Sequence, residues 1–102
     1  MSYRKQGQPQ PTERLTTTGG TVYQIAASKL NFADGKVAKD VKIRVTGDAA
    51  YYAFGATPSA TLGYVTADGD ELLLTAEEAL ALRIVDQTGS TALNLDITVY
   101  AK

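Results

Sequence analysis

The chain has 102 residues, 44% of them hydrophobic, with no Cys, His or Trp, and its ten basic and eleven acidic side chains leave a formal charge of −1. That length holds one domain with one modest core, and the near-neutral balance supplies no field for a nucleic acid backbone or an anionic membrane. Without imidazole or thiol, Ser-His-Asp and Cys-His catalysis, disulfides and the usual zinc sites are excluded, so enzymatic activity is not expected. No apolar run approaches the roughly 18 to 20 residues that span a bilayer, and the first residues lack the apolar stretch of a signal peptide. The expectation is a soluble protein not exported by that route.

Residues 1–20 differ in composition from the rest, with Gln8-Pro9-Gln10-Pro11 followed by Thr16-Thr17-Thr18-Gly19-Gly20. A segment this polar buries too little apolar surface to fold alone, so it reads as an extended N-terminal arm. Residues 21–102 then form the domain. Arg4, Lys5 and Arg14 against Glu13 make the arm basic, suited to an acidic protein surface and to backbone pairing with an exposed edge strand. Ordering each arm residue costs about 1–2 kcal/mol of backbone entropy, which makes Tyr3 and Leu15 its expected anchors. Thr18-Gly19-Gly20-Thr21 lacks the pattern of a phosphate-binding loop and reads as a flexible joint.

Strands are expected at Thr21–Ala27, Asp40–Thr46, Ala50–Phe54, Gly63–Ala67, Glu71–Thr75, Leu80–Asp86 and Leu93–Tyr100. Asn31–Lys39 reads as a loop around Asp34-Gly35. Val41, Ile43 and Val45 alternate with Lys42, Arg44 and Thr46, and Leu93, Leu95, Ile97 and Val99 alternate with polar residues and Tyr100. A period of two means one face on a core and one in solvent. Asp68-Gly69-Asp70 and Gln87–Thr91 read as hairpin turns. Thr75-Ala76-Glu77-Glu78 has capping-box spacing and predicts at most one helical turn, leading into the strand. The result is an all-β fold: a small antiparallel β-sandwich of about seven strands, with a jelly roll as one candidate topology.

The carboxylates Asp70, Glu71, Glu77 and Glu78 cluster in sequence, but acids on a turn and a first helical turn are ordinarily solvated. Asp68 and Asp70 lack the twelve-residue calcium loop. No metal or other cofactor is expected. The tyrosines are the sharper signal. Adjacent Tyr51 and Tyr52 point to opposite faces of a strand, so at most one joins the core. The other is exposed or covered by a partner, and Tyr64 stands with them as a candidate contact. Core packing and cross-strand pairing account for most of the set formed by Tyr23, Tyr51, Tyr52, Tyr64 and Tyr100. An interface or a sugar-stacking surface remains for the rest.

The segment Lys42–Thr61, KIRVTGDAAYYAFGATPSAT, with the closing run LNLDITVY, resembles small virion proteins of tailed bacteriophages. The matching positions are Thr46-Gly47, Tyr52-Ala53-Phe54-Gly55 and Thr57-Pro58-Ser59-Ala60-Thr61, and the resemblance covers residues 40–102. It implies a capsid decoration (cement) protein at the capsid surface of the virion, made in the host cytoplasm. Its implied partners are the major capsid protein lattice and neighbouring copies of itself, a trimer being the arrangement this type suggests. Neither nucleic acid, membrane, cofactor nor small-molecule substrate is implied. The alternatives are a neck, tail or fibre protein and a carbohydrate-binding host-recognition module. The interface residues expected on either ground are Tyr3, Arg4, Lys5, Arg14, Leu15, Tyr51, Tyr52 and Tyr64.

Overall fold

The computed structural model describes residues 9–30 and 38–101. One antiparallel sheet contains, in spatial order, β1 (Glu13–Thr16), β7 (Asn94–Ala101), β2 (Ala38–Thr46) and β5 (Glu71–Thr75). The second contains β4 (Tyr64–Thr66), β3 (Ala50–Phe54) and β6 (Leu82–Asp86), and a short helix, α1 (Ala76–Ala81), links β5 to β6. The protein is a small antiparallel β-sandwich.

Alternation decides which side chains meet between the sheets. Val41, Ile43 and Val45 of β2 and Leu95, Ile97 and Val99 of β7 point inward, opposite Ala50, Leu82 and Ile84 of the second sheet. Ile25, Leu30, Leu93 and Ala79 close the ends of this core. No aromatic ring is fully buried among the described residues; Tyr23 and Tyr52 only lean against the aliphatic cluster.

The connections are more interesting than the strands. Tyr23 exchanges two backbone hydrogen bonds with Ile84, at 2.8 and 3.1 Å, on the edge of β6 away from β3. With Tyr23 standing in for a strand, the two sheets read β1-β7-β2-β5 and Tyr23-β6-β3-β4. That is the double Greek key of a jelly roll. Among the described strands, only β3 and β4 are joined as a hairpin of paired neighbours. The turn at Ala67–Asp70, closed by the Asp70 amide donating to the Ala67 carbonyl at 3.0 Å, carries the chain from one sheet to the other. So does the segment 87–93. Both were expected as hairpins. Period-two patterns identify the buried face of a strand but not its partner, which explains the error.

Residues expected in a separate arm are built into the sandwich. β1 lies antiparallel to β7, with Leu15 opposite Leu95 and packed against the core, and Pro9 bridges Tyr100 further along. The boundary expected at residue 20 therefore falls inside the domain. Gly19 and Gly20 are a contact and not a loose joint: a Cβ on Gly19 would lie 2.5 Å from the Ser90 carbonyl carbon, and one on Gly20 2.5 Å from the Gly89 oxygen. The expected strand Thr21–Ala27 shrinks to the Tyr23 bridge and runs into a 3-10 turn at Ala27–Leu30. Ala26 and Ala27 at its end have little of the bulk that favours a pleated surface. β2 begins at Ala38, with a register shift before Asp40, and the rest of the expected loop at 31–37 lies outside the described residues.

The capping box forms as the spacing predicts, but the helix it starts runs for six residues, longer than the single turn expected. The Thr75 hydroxyl accepts from the Glu78 amide at 3.1 Å, and the Glu78 carboxylate accepts from the Thr75 amide at 2.9 Å. Leu80 and Ala81 stay in the helix, so β6 starts at Leu82.

Candidate interaction surface

β3 and β4 position an aromatic group at one end of the sandwich. Ala50, Tyr52 and Phe54 share the inward parity of β3, and Tyr64 lies directly opposite Tyr52. The first sheet covers Ala50 completely but leaves Phe54 38% and Tyr64 59% exposed. The inner face of the second sheet thus continues past its cover. Tyr52 sits at the boundary, half-buried against the core. Its ring meets Phe54 edge-on at 6.0 Å and Tyr64 at 5.4 Å, and Phe54 lies 6.5 Å from Tyr64. These separations fall in the attractive range for aromatic pairs.

The loop 55–63 completes the surface. The Gly55 amide donates to the Ala81 carbonyl at 2.7 Å, and Ser59 and Leu62 pair through their backbones, closing a tight turn over Ala60 and Thr61, with Pro58 buried just before it. Leu62 is left 52% exposed beside the rings. Gly63 follows with φ of 106°, where a Cβ would sit 2.4 Å from the Tyr52 carbonyl oxygen. A side chain there would push β4 away from β3. Between the loop and the strands lies an open cleft of about 350 Å³ lined by Ala53, Phe54, Ala56, Leu62, Gly63 and Tyr64.

The expected interface residues divide sharply. Tyr52 and Tyr64 are brought together here. Tyr51 belongs to the opposite face of the sheet, between Val65 and Val85. Arg14 is engaged within the chain by a two-pronged contact with Asp96, at 2.7 and 2.9 Å, and Leu15 packs on the chain's own core. Neither projects as part of a detached arm. Tyr3, Arg4 and Lys5 lie outside the described residues. Phe54 and Leu62 belong to the surface but were not singled out from the sequence. Phe54 carries a signal in being two residues from Tyr52, hence on its face, and Leu62 is a lone large apolar residue ending a polar loop.

Several of the remaining polar groups have structural work. The outer face of the first sheet carries a row Arg14, Asp96, Arg44, Glu71 across four strands, flanked by hydrogen bonds between Thr16 and Asn94 and between Thr12 and Thr98. The hydrogen bond and charge of Arg14 hold the Asp96 carboxyl below its ordinary value. Asp86 is 3% exposed and accepts from the amides of Gly20 and Thr91 and from the Thr88 hydroxyl. Burial works to raise its pKa, but these hydrogen bonds outweigh it, and the carboxyl lies below its usual range. Asp68 accepts from the Gly47 amide and Asp70 from the Ala67 amide. Among the described residues, no group of three or more Asp or Glu is gathered to hold a metal ion, and no helix is long and apolar enough to cross a membrane.

No family model matches the chain, and no curated protein matches it. Among solved structures it is similar to a chain from Bacillus endospore appendages, described as forming a novel family of disulfide-linked pili. The identity is 17%, the TM-score 0.40, and the match covers 99% of this chain and 96% of that one.

Proposed function

We propose that this chain is a non-enzymatic structural protein of a tailed-phage particle, and specifically a capsid decoration protein that docks on the major capsid protein lattice and stabilises the head. The observation that carries the reading is the uncovered aromatic end of the sandwich. Exposed rings clustered with an exposed leucine mark a contact surface more often than a solvated one. The same stretch, Tyr52–Thr61, bears the resemblance to small phage virion proteins. The jelly roll is used by capsid and lectin domains alike, so the fold by itself does not choose between them.

The test is sedimentation of the purified protein with capsid shells that lack it. Saturation at hundreds of copies per shell, abolished by a joint Phe54→Ala and Leu62→Ser change, is the expected result. Saturation at about six or twelve copies would move the protein to the neck or tail. A second reading draws on the cleft beside Tyr64 and Phe54, since aromatic faces also stack on sugar rings. Absence of shell binding together with glycan binding that Tyr64→Ala removes would replace the capsid reading with host recognition.

A further inference from the structure

The sandwich has one rim unlike the others. Among the described residues β5 pairs only with β2 and β4 only with β3, and the turn at Ala67–Asp70 joins the edge strand of one sheet to the edge strand of the other. An edge strand exposes a row of backbone donors and acceptors, ordinarily guarded by Lys, Pro or a bulge. β5 reads Glu-Leu-Leu-Leu-Thr, and its register with β2 is unbroken. Leu73 at its centre is 60% exposed and Val65 on β4 is 65% exposed. The opposite edge, β1, is polar: Glu13 is ion-paired with Lys29, and Arg14 with Asp96.

Charge is divided in the same sense. Residues 45–82 contain six acids and no Lys or Arg, whereas residues 1–44 contain eight Lys or Arg against three acids. Five of those six acids lie in β5 or next to it in sequence: Asp68 and Asp70 in the turn before it, Glu71 within it, where it is ion-paired with Lys42 of β2 at 3.7 Å, and Glu77 and Glu78 on α1 directly after it. Two such rims placed edge to edge would oppose like charges, which disfavours a symmetric dimer. A basic strand fits. Residues 1–8, with Arg4 and Lys5, span about 27 Å when extended, longer than the roughly 17 Å of β5.

We propose that the β5 rim accepts a second copy of this chain, which adds its basic N-terminal residues as a strand along β5 and covers Leu73. The contact is head-to-tail, because donor and acceptor are different parts of the molecule. Such contacts build rings when they close and filaments when they do not. The contact is a property of the protein alone and does not depend on any capsid.

Sedimentation velocity of the full chain over a concentration series tests it, with the variants Leu73→Lys, which blocks the acceptor, and Arg4→Glu/Lys5→Glu, which reverses the donor. The unaltered protein is expected to self-associate, less so at high salt, and each variant to weaken association by about tenfold or more. An equimolar mixture of the two is expected to form a one-to-one complex, since each retains the half that the other lacks. Glu71→Lys, which reverses a charge on β5 itself, serves as the acceptor block should Leu73→Lys fail to fold. A monomer at every concentration overturns the proposal, as does a mixture that stays apart or a variant that associates like the parent. A monomer that still sediments with capsid shells would overturn this contact and leave the capsid reading standing.

Discussion

The Asp86 carboxylate accepts the Gly20 amide at 2.7 Å, across 66 residues of chain. Its second oxygen takes the Thr91 amide at 2.9 Å and the Thr88 hydroxyl at 3.2 Å. One buried charge therefore ties the segment that leads from β1 to the loop between β6 and β7. Asp86→Ala strands these donors and is expected to destabilise the fold by about 2–3 kcal/mol, measured by urea denaturation.

The same carboxylate sets an acid limit. Its folded pKa lies below the ordinary value, so its stabilising effect is fully present above about pH 4, the unfolded value for Asp. It is lost as pH falls through the lower folded value. Asp96 is depressed in the same direction and adds to the same window. Melting temperature recorded from pH 7 to pH 2 is expected to drop in that range, and Asp86→Asn is expected to flatten the curve.

Gly19→Ala and Gly89→Ala separate close approach from backbone conformation. A Cβ on Gly19 meets Ser90 and Thr91 backbone within 2.8 Å, whereas Gly89, at φ of 81°, has nothing within 4 Å. Gly89→Ala is expected to cost only the left-handed penalty of about 1 kcal/mol. Gly19→Ala forces two backbones apart and is expected to cost more, about 2–3 kcal/mol. Equal losses in thermal melts would mean that the two segments yield freely.

Tyr52 and Tyr64 pair ring to ring but differ in what they support. Tyr52 packs against the core, and Tyr52→Ala is expected to cost about 2–3 kcal/mol. Tyr64 is mostly exposed, and Tyr64→Ala is expected to change stability by less than about 1 kcal/mol. Denaturation of both variants alongside the binding assay distinguishes a packing residue from a contact residue.

At the head of α1, Thr75→Ala removes the hydroxyl from the capping box and is expected to cost about 1 kcal/mol. Thr75→Asp, which keeps an acceptor, is expected to restore most of it. Chemical denaturation of the pair decides.

Strand identity was legible where alternation was strict, as in Val41, Ile43 and Val45 or Leu95, Ile97 and Val99. The capping box at Thr75 was legible too, because both of its hydrogen bonds are local in sequence. Pairing was not. β1 is four residues long and polar on three of them, and what makes it a strand is β7, about 80 residues away. The aromatic surface was half legible: Tyr52 and Tyr64 stood out by type, but their meeting depends on a register that a nine-residue loop conceals. Gly19-Gly20 misled for a related reason, since nothing nearby in sequence announces the Gly89–Thr91 backbone against it.

The central place of β7 bears on how the protein is made. β1, the earliest of the described strands, and β2 both hydrogen-bond to β7, the latest of them, so the four-stranded sheet has no middle until residues 94–101 have left the ribosome. Before that, β2 can pair only with β5 and β1 has no partner among the described strands. Pairings this distant in sequence fold slowly and expose strand edges while they wait. A nascent chain halted near Thr91 would therefore carry a leucine-edged β5 and a β2 still open along the edge that β7 later covers, making late synthesis the period in which copies are most prone to join wrongly.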